Sequence, residues 1–170
     1  MGLVHQDRLE WDAADASFKR AIDLNPGYAN ARQWYANHLA ERGLLAEATA
    51  EIDKAVILDP LSTLVLGERA TILFLSRRFD EAIAQAEKAL QLNPDLIRQR
   101  VLVAEALAQR GQFDRALEAV DTALRLDSTN AKARIYRGCI LALAGRRDDA
   151  LALAADLGER YRTQQEGHAA

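Results

Sequence analysis

Residues 29–62 read ANARQWYANHLAERGLLAEATAEIDKAVILDPLS, and this stretch decides the fold. Ala29 to Arg42 has the pattern of a first helix, termed A, and Leu45 to Leu58 that of a second, B. Gly43 falls where helix A must stop and turn, because glycine enters the left-handed conformation of a helix C-terminus without steric penalty. Asp59-Pro60 ends helix B, since proline cannot continue a helix and restricts the residue before it. Ala48, Ile52 and Ala55 stand at i, i+4 and i+7 and share one helical face. The two alanines let antiparallel helices approach closely. The same marks recur outward at a step of 34 residues: Ala14, Ala48, Ala82, Ala116 and Ala150, then Ala21, Ala55, Ala89 and Ala123, then Pro26, Pro60 and Pro94. Gly43, Gly111 and Gly145 keep the same register. The chain is a repeat array whose helix pairs bury their apolar faces only against their neighbours.

These residues resemble the tetratricopeptide repeat (TPR) family over nearly the whole chain. The resemblance implies an all-α fold, a right-handed superhelix of antiparallel helix pairs with about four and a half repeats. It divides the chain into a single array over residues 1–162 and a polar tail, residues 163–170. The units are 1–28 (partial), 29–62, 63–96, 97–130 and 131–164 (degenerate). Residues 2–9 hold only the end of a helix A, and after Ala154 the pattern decays through Asp156-Leu157-Gly158 with no dedicated polar cap. Both features point to a piece of a longer protein. Arg77 stands in the turn-glycine slot of the third unit and Ser128 in the closing-proline slot of the fourth. Arg69 and Arg137 fill a helix A slot that holds Tyr35 and Val103 in sister units. Either their stems snorkel along the groove edge, which is the expectation, or they mark polar pairing between helices.

Composition fits a globular chain, with 49% hydrophobic and 28% charged residues among 170. No apolar run reaches the length of a membrane span, so membrane insertion is not expected. The single cysteine, Cys139, cannot form an internal disulfide, which fits a reducing, cytoplasmic setting. The net charge is -3. Residues 1–97 carry 10 Lys and Arg against 15 Asp and Glu, whereas residues 98–170 carry 12 against 10. Neither half has the basic footprint of a direct nucleic-acid binder.

No catalytic residues, metal ligands or cofactor site are expected, and the chain reads as no enzyme. His5, His38 and His168 lack partners at metal-ligand spacing, and neither a nucleophile motif nor a phosphate-binding glycine loop is present. Paired carboxylates such as Asp80-Glu81 and Asp148-Asp149 open B helices, where negative charge complements the helix dipole.

The TPR resemblance instead implies a concave groove lined by A helices, whose partner-binding slots fall on Asn30, Gln33, Trp34 and Asn37, then on Glu68, Thr71 and Phe74. In the following units they fall on Arg98, Leu102 and Glu105, then on Lys132 and Tyr136. Trp34, Phe74 and Tyr136 offer apolar area, unless their rings pack between repeats, and the amides beside them suit an extended peptide backbone. A protein or peptide ligand is therefore the expected partner. Some TPR domains clamp a C-terminal carboxylate; here Asn37 and Arg98 match that clamp, while Gln33, Glu68 and Leu102 depart from it, and Glu68 would repel the ligand. Arg98, Arg100, Lys132, Arg134 and Arg137 crowd two adjacent A helices, read as solvated charge. Two alternatives stay open. Trp34-Tyr35, Leu58-Asp59-Pro60-Leu61-Ser62 and Arg77-Arg78-Phe79-Asp80 are similar to the TPR tails of bacterial winged-helix transcriptional regulators and adenylate cyclases, which implies a sensory or regulatory domain. Uncapped ends would permit end-to-end self-association.

Overall fold

The computed structural model describes residues 10–168; residues 2–9, read as the end of a helix A, and His5 lie outside the described residues. A B-type helix α1 (Trp11–Leu24) precedes four helix pairs. These are α2 (Ala29–Glu41) with α3 (Leu45–Leu58), α4 (Thr63–Leu75) with α5 (Phe79–Leu92), α6 (Ile97–Gln109) with α7 (Phe113–Leu126), and α8 (Ala131–Leu143) with α9 (Arg147–His168). Among the described residues there is no strand. Each helix packs on the next, and the A helices α2, α4, α6 and α8 also touch in succession. The result is an all-α, right-handed TPR superhelix, with the A helices along its inner side.

The turn between A and B helices is built identically four times. The N–H groups of Leu44, Arg78, Gln112 and Arg146 donate to the carbonyls of Leu39, Leu73, Leu107 and Leu141 at 2.9–3.0 Å, the six-to-one bond of a Schellman close. The residue before each of these donors must take a positive φ, which is 77° at Gly43, 70° at Gly111 and 76° at Gly145. Arg77 takes φ 59° in the same slot, and its guanidinium lies 5.3 Å from the centre of the Phe79 ring. The loop at Ser128, which lacks the proline, closes with the same side-chain turn as the loop at Pro94: Asp127 Oδ1 accepts from the Thr129 N–H at 2.9 Å and from its hydroxyl at 2.7 Å, as Asn93 Oδ1 accepts from the Asp95 N–H at 3.0 Å. Asn130 Oδ1 then caps α8 by accepting from the Ala133 N–H at 3.0 Å.

Ala48, Ala82 and Ala116 are wholly buried, as are Ala55, Ala89 and Ala123. A core of Ile52, Val65, Ile72 and Phe18 fills the first half of the array, and one of Leu73, Val101, Leu107, Val120 and Ile140 fills the second. Arg69 and Arg137 do not simply snorkel. Arg69 Nε donates to Asp53 Oδ1 at 2.7 Å and Arg137 Nε to Asp121 Oδ1 at 2.6 Å, so each ties an A helix to the preceding B helix. Helix α9 continues through Gly158, and residues 163–168 of the expected polar tail are helical.

His38 is fully buried against the rings of Trp11, Phe18 and Tyr35, at centroid distances of 5.5, 5.2 and 6.3 Å. Neither ring nitrogen has a hydrogen-bond partner among the described residues. Burial, helped by the Arg42 charge and opposed by Asp15, holds its pKa below the ordinary value of 6.5.

Two outcomes follow from this packing. Replacing Ala82 or Ala116 by leucine should overpack a tight helix contact and cost about 1–3 kcal/mol, whereas Glu118→Leu on exposed α7 surface should cost little, as read from denaturant melts. For His38, the depressed folded pKa means that stability is complete above the unfolded value of 6.5 and falls as pH drops below it, because the unfolded chain then binds the extra proton. Denaturation midpoints at several pH values on either side of 6.5 should show this loss in the wild type and a flatter profile in His38→Leu.

Candidate functional site

The inner side of α2, α4 and α6 encloses a hollow of about 420 Å³ lined by Asn37, Ala40, Glu68, Thr71, Leu75 and Arg98, with Glu41 at its edge. Its centre is an ion pair between neighbouring A helices. Arg98 donates through Nη1 to Glu68 Oε1 and through Nη2 to Glu68 Oε2 at 3.2 Å, and Nη2 also reaches the Thr71 hydroxyl oxygen at 3.4 Å. Thr71 in turn donates to the Gly67 carbonyl at 3.1 Å. Glu68 is only 6% exposed, while the Arg98 side chain is 54% exposed. The cation therefore covers the carboxylate and presents its outer edge to the groove. Arg98, which could have clamped a terminal carboxylate, is already held by Glu68.

Close approach of the helices fixes this arrangement. A Cβ at Gly67 would collide with the Gln99 side-chain amide, so the missing side chain makes room on α4 for the buried Gln99 amide of α6.

The other expected slots fall into three groups. Trp34 is 37% exposed on α2 and stands edge-on to Tyr28, centroids 6.1 Å apart. Asn30 is half-buried on the same helix. Further along, Lys132 Nζ lies 3.3 Å from Glu105 Oε1 and 5.3 Å from the Tyr136 ring centre. Burial first, and then the Glu105 carboxylate, raise the Tyr136 hydroxyl above its usual pKa. Gln33, Leu102 and Phe74 do not line an open surface as expected. Gln33 and Leu102 are buried, and Phe74 packs against Phe79 at 5.5 Å and joins the core. These positions face the neighbouring helices because the tight A-helix spacing turns them inward.

The basic cluster on α6 and α8 is paired throughout. Besides Arg98, Lys132 and Arg137, Arg134 binds Asp156 at 2.8 Å and Arg100 donates twice to the Pro94 carbonyl, at 2.7 and 3.0 Å. The array end between α8 and α9 holds a further hollow of about 690 Å³ whose walls include Ile135, Cys139, Leu151 and Ala154. Among the described residues, no group of three or more His, Cys, Asp or Glu side chains could hold a metal ion, and no helix is long and apolar enough to cross a membrane.

Two models described as tetratricopeptide repeat match residues 1–63 and 73–134, and the chain belongs to the tetratricopeptide repeat family. It is thereby a protein-protein interaction module, of a family whose members are generally non-catalytic scaffolds. Among solved structures it is similar to residues 41 to the end of MamA from Desulfovibrio magneticus RS-1, at 18% identity and TM-score 0.85 over 96% of this chain and 92% of that one. It is also similar to TTC0263, a thermophilic TPR protein of Thermus thermophilus, at 23% identity and TM-score 0.76 over 95% and 94%. A third likeness is YrrB, described as a TPR protein with an unusual peptide-binding site, at 22% identity and TM-score 0.70 over 89% and 78%. At these identities the likeness is one of fold. No curated protein sequence matches the chain.

The Glu68 and Arg98 side chains should act as one unit. Arg98→Ala leaves a buried carboxylate uncompensated and should cost about 1–2 kcal/mol, while adding Glu68→Ala should cost little more. Additive losses in a double-mutant cycle of chemical melts would mean that the two side chains are not coupled.

Proposed function

We propose that this array is a non-catalytic module that binds an extended or helical segment of a partner protein in its concave groove. The observation that carries the reading is the inner hollow lined by Asn37, Glu68, Thr71 and Arg98, with the exposed Trp34 on the adjoining helix α2 as the proposed anchor. A large ring supplies apolar contact area, and the amide, hydroxyl and guanidinium edge can hydrogen-bond a peptide backbone or polar side chains. Lys132 and Tyr136 extend that surface along α8. The peptide-binding site named for YrrB is in keeping with this reading. Since Glu68 already neutralises Arg98, the groove favours hydrogen-bonding partners over a terminal carboxylate.

The test is a partner captured from the native extract, its affinity then measured for wild type, Trp34→Ala and Glu41→Ala, with folding checked by circular dichroism. Truncating the anchor should weaken binding by about 2 kcal/mol or more, roughly thirtyfold, while the rim change should matter far less and mainly through salt dependence. A folded Trp34→Ala variant that binds as tightly as wild type would remove the groove from consideration.

A further inference from the structure

The outer side of the array carries a crevice whose chemistry departs from that of its sisters. Successive A helices touch, but the B helices α3 and α5 stand apart across α4 and leave a hollow of about 620 Å³. Val56, Ile57, Pro60, Leu61, Leu66 and Leu92 form its apolar walls, and Arg69 and Gln85 lie at its polar side.

Ile57 is 79% exposed and Leu61 71%, more than any other large apolar side chain among the described residues. The repeat does not require either. Positions in register with Ile57 hold Asp23, Gln91 and Arg125, and those in register with Leu61 hold Gly27, Asp95 and Thr129. Leu66 breaks the pattern as well, since its sisters are Arg32, Arg100 and Arg134.

The crevice one unit earlier shows what has been replaced. There Arg32 Nη1 donates to Glu51 Oε2 at 2.8 Å, and both residues line the hollow. The same two slots here are Leu66 and Gln85. An ion pair has become an aliphatic wall and a neutral amide. Gln85 is 3% exposed, and its Oε1 accepts from Arg69 Nη1 at 2.7 Å, which fixes the orientation of the amide. Its Nε2 is left without a partner. A buried N–H without an acceptor is costly, and here the orphan donor lies beside an exposed apolar patch.

We propose that this crevice is a second docking surface, on the side opposite the groove, for an extended segment of a partner protein. The segment inserts one large apolar side chain between Ile57, Leu61 and Leu66, and an outward turn of the buried Gln85 side chain then lets a backbone carbonyl accept from its Nε2. A neutral acceptor fits because Asp53 already holds the Arg69 guanidinium at 2.7 Å. Lys88, exposed on the rim, favours an acidic residue flanking the apolar one.

The sister units supply variants that keep the repeat intact. Ile57→Gln with Leu61→Asp copies the residues at 91 and 95, and Leu66→Arg with Gln85→Glu copies the Arg32 and Glu51 pair. The probe is a phage-displayed library of random linear peptides selected on the full chain, with the selected sequences then synthesised and titrated. Peptides carrying a large apolar residue should lose about tenfold or more in affinity for each double variant and keep it for Trp34→Ala. They should also shift the Gln85 side-chain amide resonances in the wild-type chain, a readout that does not depend on the variants folding. No selected peptide, wild-type affinity retained by both double variants, or an unmoved Gln85 amide would overturn the proposal. So would self-association of wild type that Ile57→Gln with Leu61→Asp abolishes in sedimentation, because a second copy would then be the occupant.

Discussion

The contact on which this structure rests is the meeting of helices across fully buried alanines. Ala48, Ala82 and Ala116 sit at the same point of successive B helices, with Ala55, Ala89 and Ala123 two turns further on. A methyl side chain leaves the helix axes close enough for Ile52, Leu73 or Val120 to reach the next layer, so burial passes from each unit to its neighbour. Groove geometry is a by-product of that spacing. Between α4 and α6, the Gln99 amide occupies the space beside Gly67 where a Cβ would stand, and Glu68 and Arg98 pair across the same two helices.

Polar pairing refines the same interface. An A-helix side chain meets the B-helix residue sixteen positions earlier in Arg69 with Asp53 and in Arg137 with Asp121, and Lys19 lies 6.0 Å from the Tyr35 ring centre in the corresponding pair. Such pairs add little net stability when half-exposed, yet each specifies how one unit sits on the last. Arginines that crowd α6 and α8 in the sequence are each held in place, Arg134 by Asp156 and Arg100 by the Pro94 carbonyl.

The fold was legible because its signals are local and repeated: alanines at one interval, turn glycines, and prolines after the B helices. Even the exceptions are local, with Arg77 accepting a left-handed φ and the loop at Ser128 keeping, without a proline, the side-chain turn that Asn93 makes beside Pro94. The site was legible only in part. Asn37, Thr71 and Arg98 line the inner hollow, but slot assignment cannot tell an open position from one turned against the next helix, and Gln33, Leu102 and Phe74 are of the second kind. Pairing was hidden for a related reason. Whether Arg69 snorkels or binds Asp53 depends on the rotation of one helix against another, which no spacing along the chain specifies.

What the array recognises must lie in its departures from the repeat, since residues that every unit shares are already used in holding the units together. In the groove the departure is Glu68, a carboxylate almost shut off from solvent beneath a half-exposed guanidinium. A ligand that drew Arg98 away would leave that carboxylate buried without its cation, a cost that its own contacts would first have to offset. Productive ligands therefore meet the pair intact and read its outer N–H edge together with Asn37 and Thr71, so that recognition there depends on hydrogen-bond geometry more than on net charge. On the outer side the departure runs the other way, from the Arg32 and Glu51 ion pair to Leu66 and Gln85, which removes charge and opens apolar surface. One scaffold thus presents a polar, prepaired face inside and an apolar, under-satisfied face outside, and the two select for different kinds of segment.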